Sequence, residues 1–122
     1  MDTFFMAIKP IPSPSLVKGR LSASALRGKE IYNGGKAACA ACHPGPLFTD
    51  MKLHNVVLFD KYDANKQWDT PSLIECWRTA PYGHLGSMLT IKEIVEFAGM
   101  SNASSKLTQE EIDDLVEFVS SL

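Results

Sequence analysis

Two cysteines three positions apart and a histidine directly after them, Cys39-Ala40-Ala41-Cys42-His43, put two thiols and an imidazole on one turn of chain. Thiols at that separation can add to the two vinyl groups of a haem, and the adjacent imidazole then falls beneath the iron as its proximal ligand. The pentapeptide predicts one covalently bound haem c (iron) per chain, with the opposite axial position left for a side chain, water or a small molecule. A zinc site is the rival chemistry, with Cys76, His54 or His84 as fourth donor. The second close ligand pair usual in such sites is missing.

The opposite axial ligand is expected to be Met100, which follows Gly99 where a helix ends and the backbone can turn its sulfur toward the iron. Met88, between Gly86 and Thr90, is the alternative, while Met51 lies too close to the motif and Met6 too close to the proline-rich tether that follows it. His54 and His84 sit among loop residues and suit a ligand, a proton donor or a hydrogen-bonded structural role. Arg78 is a candidate partner for a haem propionate, because its planar fork matches a carboxylate, with a surface ion pair as the competing role. A carbonyl in the Gly45-Pro46 turn can accept the second ring hydrogen of His43 and orient the imidazole. Trp77 and Trp68 are expected to pack on the porphyrin.

The chain has 122 residues, three cysteines and a formal net charge of -2. That length fits one domain, and the absence of a basic run argues against nucleic acid as a partner. With two cysteines in the motif, Cys76 has no disulfide partner and reads as a small buried hydrophobe. No apolar run is long enough to span a bilayer. Haem attachment to this signature takes place outside the cytoplasm in bacteria, so a periplasmic or otherwise extracytoplasmic location is expected, with the export signal upstream. Lys9-Pro10-Ile11-Pro12-Ser13-Pro14 reads as an extended tether, because alternate prolines fix φ and remove donors. The expected division is a linker over 1–15, joining an upstream domain of the same precursor or else lying as an arm on the domain surface, and one domain over 16–122.

The elements that must position the motif can also be read. Ser22 or Ser24 caps a helix running to about Asn33, where Gly34-Gly35 stops it. Gly28 and Tyr32 lie one turn apart, so a residue without a side chain sits beside an aromatic on the face that another helix can approach closely. The partner is the last segment, where Thr108 to Glu111 forms a capping box ahead of Ile112, Leu115, Val116 and Val119. Thr70-Pro71 predicts a further helix carrying Leu73, Ile74 and Trp77 up to Pro81. Thr90 to Glu93 predicts another, with Ile91, Ile94, Val95 and Ala98 inward and Gly99 at its end. The stretch 44–69 reads as a long loop around the cofactor. The fold class is all-α, about four short helices around one covalently bound haem.

Gly28-Lys29-Glu30-Ile31-Tyr32, the Cys39 to His43 motif and the late capped helix resemble the class I cytochrome c pattern. Pro46-Leu47-Phe48-Thr49-Asp50, His54-Asn55, Asp69-Thr70-Pro71-Ser72-Leu73 and Trp77-Arg78-Thr79-Ala80-Pro81-Tyr82, with His84 and Gly86-Ser87, are similar to the C-terminal haem domain of bacterial di-haem cytochrome c peroxidases and MauG-type proteins. The resemblance implies a cytochrome c-like fold and the electron-transfer half of such a protein, with His43 and Met100 as iron ligands. It therefore implies a single-haem domain for one-electron transfer with a redox partner protein, rather than an independent peroxidase. The alternative is a peroxidase haem domain acting with a second haem domain. Leu85 stands where the family carries aspartate, so no catalytic role passes to His84.

Overall fold

The computed structural model describes residues 2–97 and 103–122. Among them are five α-helices: α1 (Asp2–Ala7), α2 (Ala23–Asn33), α3 (Ile91–Glu96), α4 (Ala103–Lys106) and α5 (Gln109–Ser120). Two single 3-10 turns, Cys39–Ala41 and Cys76–Arg78, and one short antiparallel pair, β1 (Leu53–His54) with β2 (Trp68–Asp69), complete the regular structure. No helix among the described residues is long and apolar enough to cross a membrane.

The three long-range helices start where side chains satisfy their free N–H groups. Ser22 accepts from the Ala25 N–H at the start of α2, and full capping boxes open α3 (Thr90 with Glu93) and α5 (Thr108 with Glu111). α2 and α5 then cross at Gly28. A Cβ there would lie 1.9 Å from the Asp114 carbonyl oxygen and 2.9 Å from the Phe118 Cβ, so only hydrogen fits. Around this crossing Ala25, Tyr32, Ile112, Leu115, Phe118 and Val119 form a buried core, with the Tyr32 and Phe118 rings packed edge to face at 5.1 Å.

Polar contacts fix the register of the same crossing. The buried Asp114 carboxylate accepts from Ser24 Oγ and from Arg27 Nε and Nη2, each at 2.6 Å. The Arg27 guanidinium, opposed by burial and helped by Ser24, holds that carboxyl below its ordinary value of 3.8.

One expectation needs correction. No helix forms after Thr70-Pro71; the chain makes only the 3-10 turn Cys76–Arg78. Thr70 spends its N–H and hydroxyl on the Lys52 carbonyl, and Ser72 Oγ takes the Ile74 N–H and donates to the Leu47 carbonyl. Local bonding of this kind competes with the helical ladder, and Glu75, at φ 62, turns the chain out of helical geometry. The proline-rich start touches the rest of the chain at several points. α1 occupies its first residues, the Ile11 N–H binds Glu75 Oε1, and the buried Ser13 donates to the Ser120 carbonyl at 2.6 Å. α3 starts as expected and ends at Phe97; Ala98 and Gly99 lie outside the described residues.

Gly28→Ala is expected to cost about 3 kcal/mol, the upper end for overpacking, because the added carbon meets backbone; chemical denaturation of the haem-loaded protein measures it. Asp114→Asn should lower the melting temperature at neutral pH. The folded carboxyl titrates below 3.8, so its contribution is complete above that value and is lost as pH falls through the lower folded one. The gap between wild type and variant should therefore close in acid, as thermal melts across that range will record.

Candidate haem-attachment site

The motif sits on a bend that α2 and the following loop hold from both sides. Ala38, at φ 58, turns the chain into the Cys39–Ala41 turn, and the N–H groups of Cys42 and His43 both reach the Cys39 carbonyl. Tyr32 of α2 donates its hydroxyl to the His43 carbonyl at 2.5 Å, and the Asp50 N–H donates to the Cys42 carbonyl at 3.0 Å. Phe48, at φ 53, presents its carbonyl to His43 Nδ1 at 3.0 Å while its ring packs on Tyr32 and Phe118. A carbonyl can only accept, so Nδ1 carries the proton and Nε2 is the nitrogen that would ligate a metal. The orienting carbonyl expected from the Gly45-Pro46 turn is thus supplied by Phe48.

Cys39, Cys42 and His43 line one cavity of about 440 Å³. The other walls come from loop 54–58, from Trp68 to Leu73, from the turn around His84, from α3 and from Val119 of α5. Val56, Leu58, Leu73, Ile91, Ile94 and Val119 make most of that lining apolar. The size is within the range of cofactor cavities, and two thiols beside a neutral imidazole on one wall are the donor set a covalently held haem requires.

The electrostatics agree with that fit. Burial pushes the Cys39 thiol up to about 11, and burial followed by the Asp50 charge raises Cys42 as well, so both are thiols at neutral pH. Burial also lowers His43 against the opposing pull of the Phe48 and Pro71 carbonyls, which keeps the imidazole neutral, the form a metal binds. Asp50 is raised by burial, but bonds from His54, Thr70 and the Lys52 N–H outweigh this and bring it to about 2.

The remaining sequence candidates fall elsewhere. Arg78 is off the cavity wall, its Nη2 donating to Glu75 Oε2 at 2.7 Å beside the arm residues Ile8 to Ile11. Pro46 follows the motif without lining the cavity. Trp77 packs against the helical core with its buried Nε1 unpartnered, and it too is off the cavity wall. Met88 is buried against Gly83, tied by backbone bonds to Tyr82, and does not line the cavity. Met100 lies outside the described residues. His54 and His84 do line the cavity, with His54 bonded to Asp50 at 2.8 Å. Cys76 is buried as expected, its thiol donating to the Val119 carbonyl at 3.4 Å. Sequence reasoning missed Tyr32 as the brace of His43 and Phe48 as its acceptor. The one-turn spacing of Tyr32 from Gly28 marked the first, whereas nothing in a side chain signals a backbone carbonyl.

The fold and the site define a haem c attachment domain of cytochrome-like, mostly helical architecture. It resembles the c-type haem domain class of the di-haem cytochrome c peroxidase, MauG and hydrazine synthase group. Cytochrome-c peroxidase IdrP1 of Denitromonas iodatirespirans is 31% identical over 86% of this chain and 42% of its own length. Methylamine utilization protein MauG of Methylophilus methylotrophus is 31% identical over 84% of this chain and 37% of its own. The Kuenenia stuttgartiensis hydrazine synthase structure superposes on 98% of this chain and 52% of its own with a TM-score of 0.81 at 23% identity, a likeness of fold. No family model matches the chain. The chain spans about two-fifths of the length of the curated relatives it matches.

Cys39→Ser with Cys42→Ser is expected to abolish peroxidase-active haem staining on a denaturing gel that the wild type retains. Zinc without haem on metal analysis of the wild type would overturn the assignment.

Proposed function

We propose that this chain is one haem domain of a di-haem peroxidase- or MauG-type protein and that it exchanges single electrons with a second haem domain. Residues 16–122 form the cytochrome domain and 1–15 its tether to the rest of the precursor. Cys39 and Cys42 would hold one haem through thioethers, and His43 Nε2 together with Met100, or Met88 as the alternative, would ligate its iron. The observation that carries the reading is the convergence of both thiols and the Phe48-oriented imidazole on one apolar cavity.

When bound, the haem supplies a one-electron redox couple. The protein supplies the rest. Phe48 fixes the ring plane and tautomer of His43, Tyr32 and Asp50 immobilise the turn behind it, and the apolar walls exclude water, which favours the less charged reduced state. The similarity to peroxidases and MauG, over only part of their length, supports action beside a second haem domain. It also supports an extracytoplasmic location, as covalent attachment requires. A one-electron carrier acting without a second haem domain is the second reading, favoured by a cavity wall around the motif that is mostly apolar and suits electron exchange rather than bond chemistry.

Peroxide-driven oxidation of a chromogenic reductant separates the two. The isolated domain is expected to show negligible turnover, and the same domain joined to a second haem domain is expected to show turnover that Cys39→Ser removes. Turnover without dependence on this domain would leave the carrier reading, and strong turnover by the isolated chain would overturn both. In the same ferric samples the weak far-red band of sulfur-ligated haem should disappear in Met100→Ala; its retention would move the ligand to Met88.

A further inference from the structure

Trp68 and His84 line the cavity together, with ring centroids 3.5 Å apart and planes 16° from parallel. Each ring is held separately. Trp68 Nε1 donates to the Leu58 carbonyl at 2.9 Å, and the Trp68 backbone pairs with His54 across the β1 and β2 strands. His84 Nε2 donates to Asp63 Oδ1 at 3.2 Å. Gly83 and Gly86, at φ +78 and +62, allow the tight turn that carries His84, and the Tyr82 to Met88 bridge closes it. The outer end of the pair reaches solvent, where the His84 side chain is 33% exposed. Val57, Tyr62 and Leu85, next in sequence to the braces Leu58, Asp63 and His84, are all exposed large apolar residues.

We propose that the Trp68–His84 stack is the route by which an electron crosses the wall of the cavity. The proposal rests on the reading of that cavity as a haem site. Two π systems at van der Waals distance give stronger electronic overlap than saturated side chains, and rings pinned by independent hydrogen bonds need little rearrangement when charge passes. The route runs from the cavity through Trp68 and His84 to an exposed apolar rim, the kind of surface that small transient electron-transfer contacts use. One electron leaves an external one-electron donor and arrives on the redox group in the cavity. Neither ring gains or loses an atom or a proton.

A photoreducible ruthenium polypyridyl label attached through Tyr62→Cys injects an electron beside the stack, and a label through Leu26→Cys on α2 injects one elsewhere; both positions are exposed. Trp68→Leu is expected to slow transfer from the Tyr62 label about tenfold, equivalent to about 1.4 kcal/mol of barrier, and to leave the Leu26 label unchanged. Trp68→Phe should restore part of the rate, and His84→Gln should slow it with Trp68 still in place. The visible spectrum shows that each variant has taken up haem, and the part of the His84 ring-current shift that the stacked indole adds in the ferrous NMR spectrum should be lost in Trp68→Leu. An unchanged rate from the Tyr62 label overturns the route. Equal slowing from both labels overturns it too, since Trp68 would then act on the haem environment as a whole. A chain that takes up no haem overturns the site reading, a result visible in the spectrum before any rate is measured.

Discussion

The approach of α2 to α5 at Gly28 is the constraint on which the rest depends. Because no carbon fits between Gly28 and the Asp114 backbone, the two helices sit close enough for Tyr32, one turn later, to be wholly buried against Phe118. That burial aims the Tyr32 hydroxyl at the His43 carbonyl. A helix crossing therefore sets the position of the attachment motif, although it supplies none of the motif's thiols or its imidazole. The Asp114 contacts to Ser24 and Arg27 hold the rotation of α2 about its axis, without which Tyr32 would point elsewhere.

What could be read from the sequence was local or periodic. Capping boxes at Thr90 and Thr108 and the Ser22 cap report their own geometry, because the bonding groups lie within four residues of each other. The Gly28 and Tyr32 pairing with the last helix was legible because a missing side chain beside an aromatic has few other uses in a helix. The segment after Thr70 misled for a physical reason. Thr70 and Ser72 resemble helix-start residues, yet they bond to Lys52 and Leu47, partners that are distant in sequence. The β1 and β2 pair was invisible for the same reason, since two residues per strand carry no period.

The site divides along the same line. Cys39, Cys42 and His43 announce themselves because covalent attachment demands those types at that spacing. Arg78, Trp77 and Pro46 lie off the cavity wall, because the fold seats the guanidinium on Glu75 and packs the indole against the helical core. His84 had three open roles in the sequence, and its stacking on Trp68 under the Asp63 carboxylate is a tertiary fact no local pattern encodes.

The bond from the Ser13 hydroxyl to the Ser120 carbonyl joins positions 107 apart in the chain. Leu122 reinforces the meeting by accepting from the Glu75 N–H, while Glu75 also receives the Ile11 N–H. The arm around Ser13, the turn at Glu75 and the segment from Ser120 to Leu122 thus meet in one small area of the surface. Closing so long a loop of chain costs conformational entropy, so this patch acts as a clasp that shuts on a core already holding the chain together.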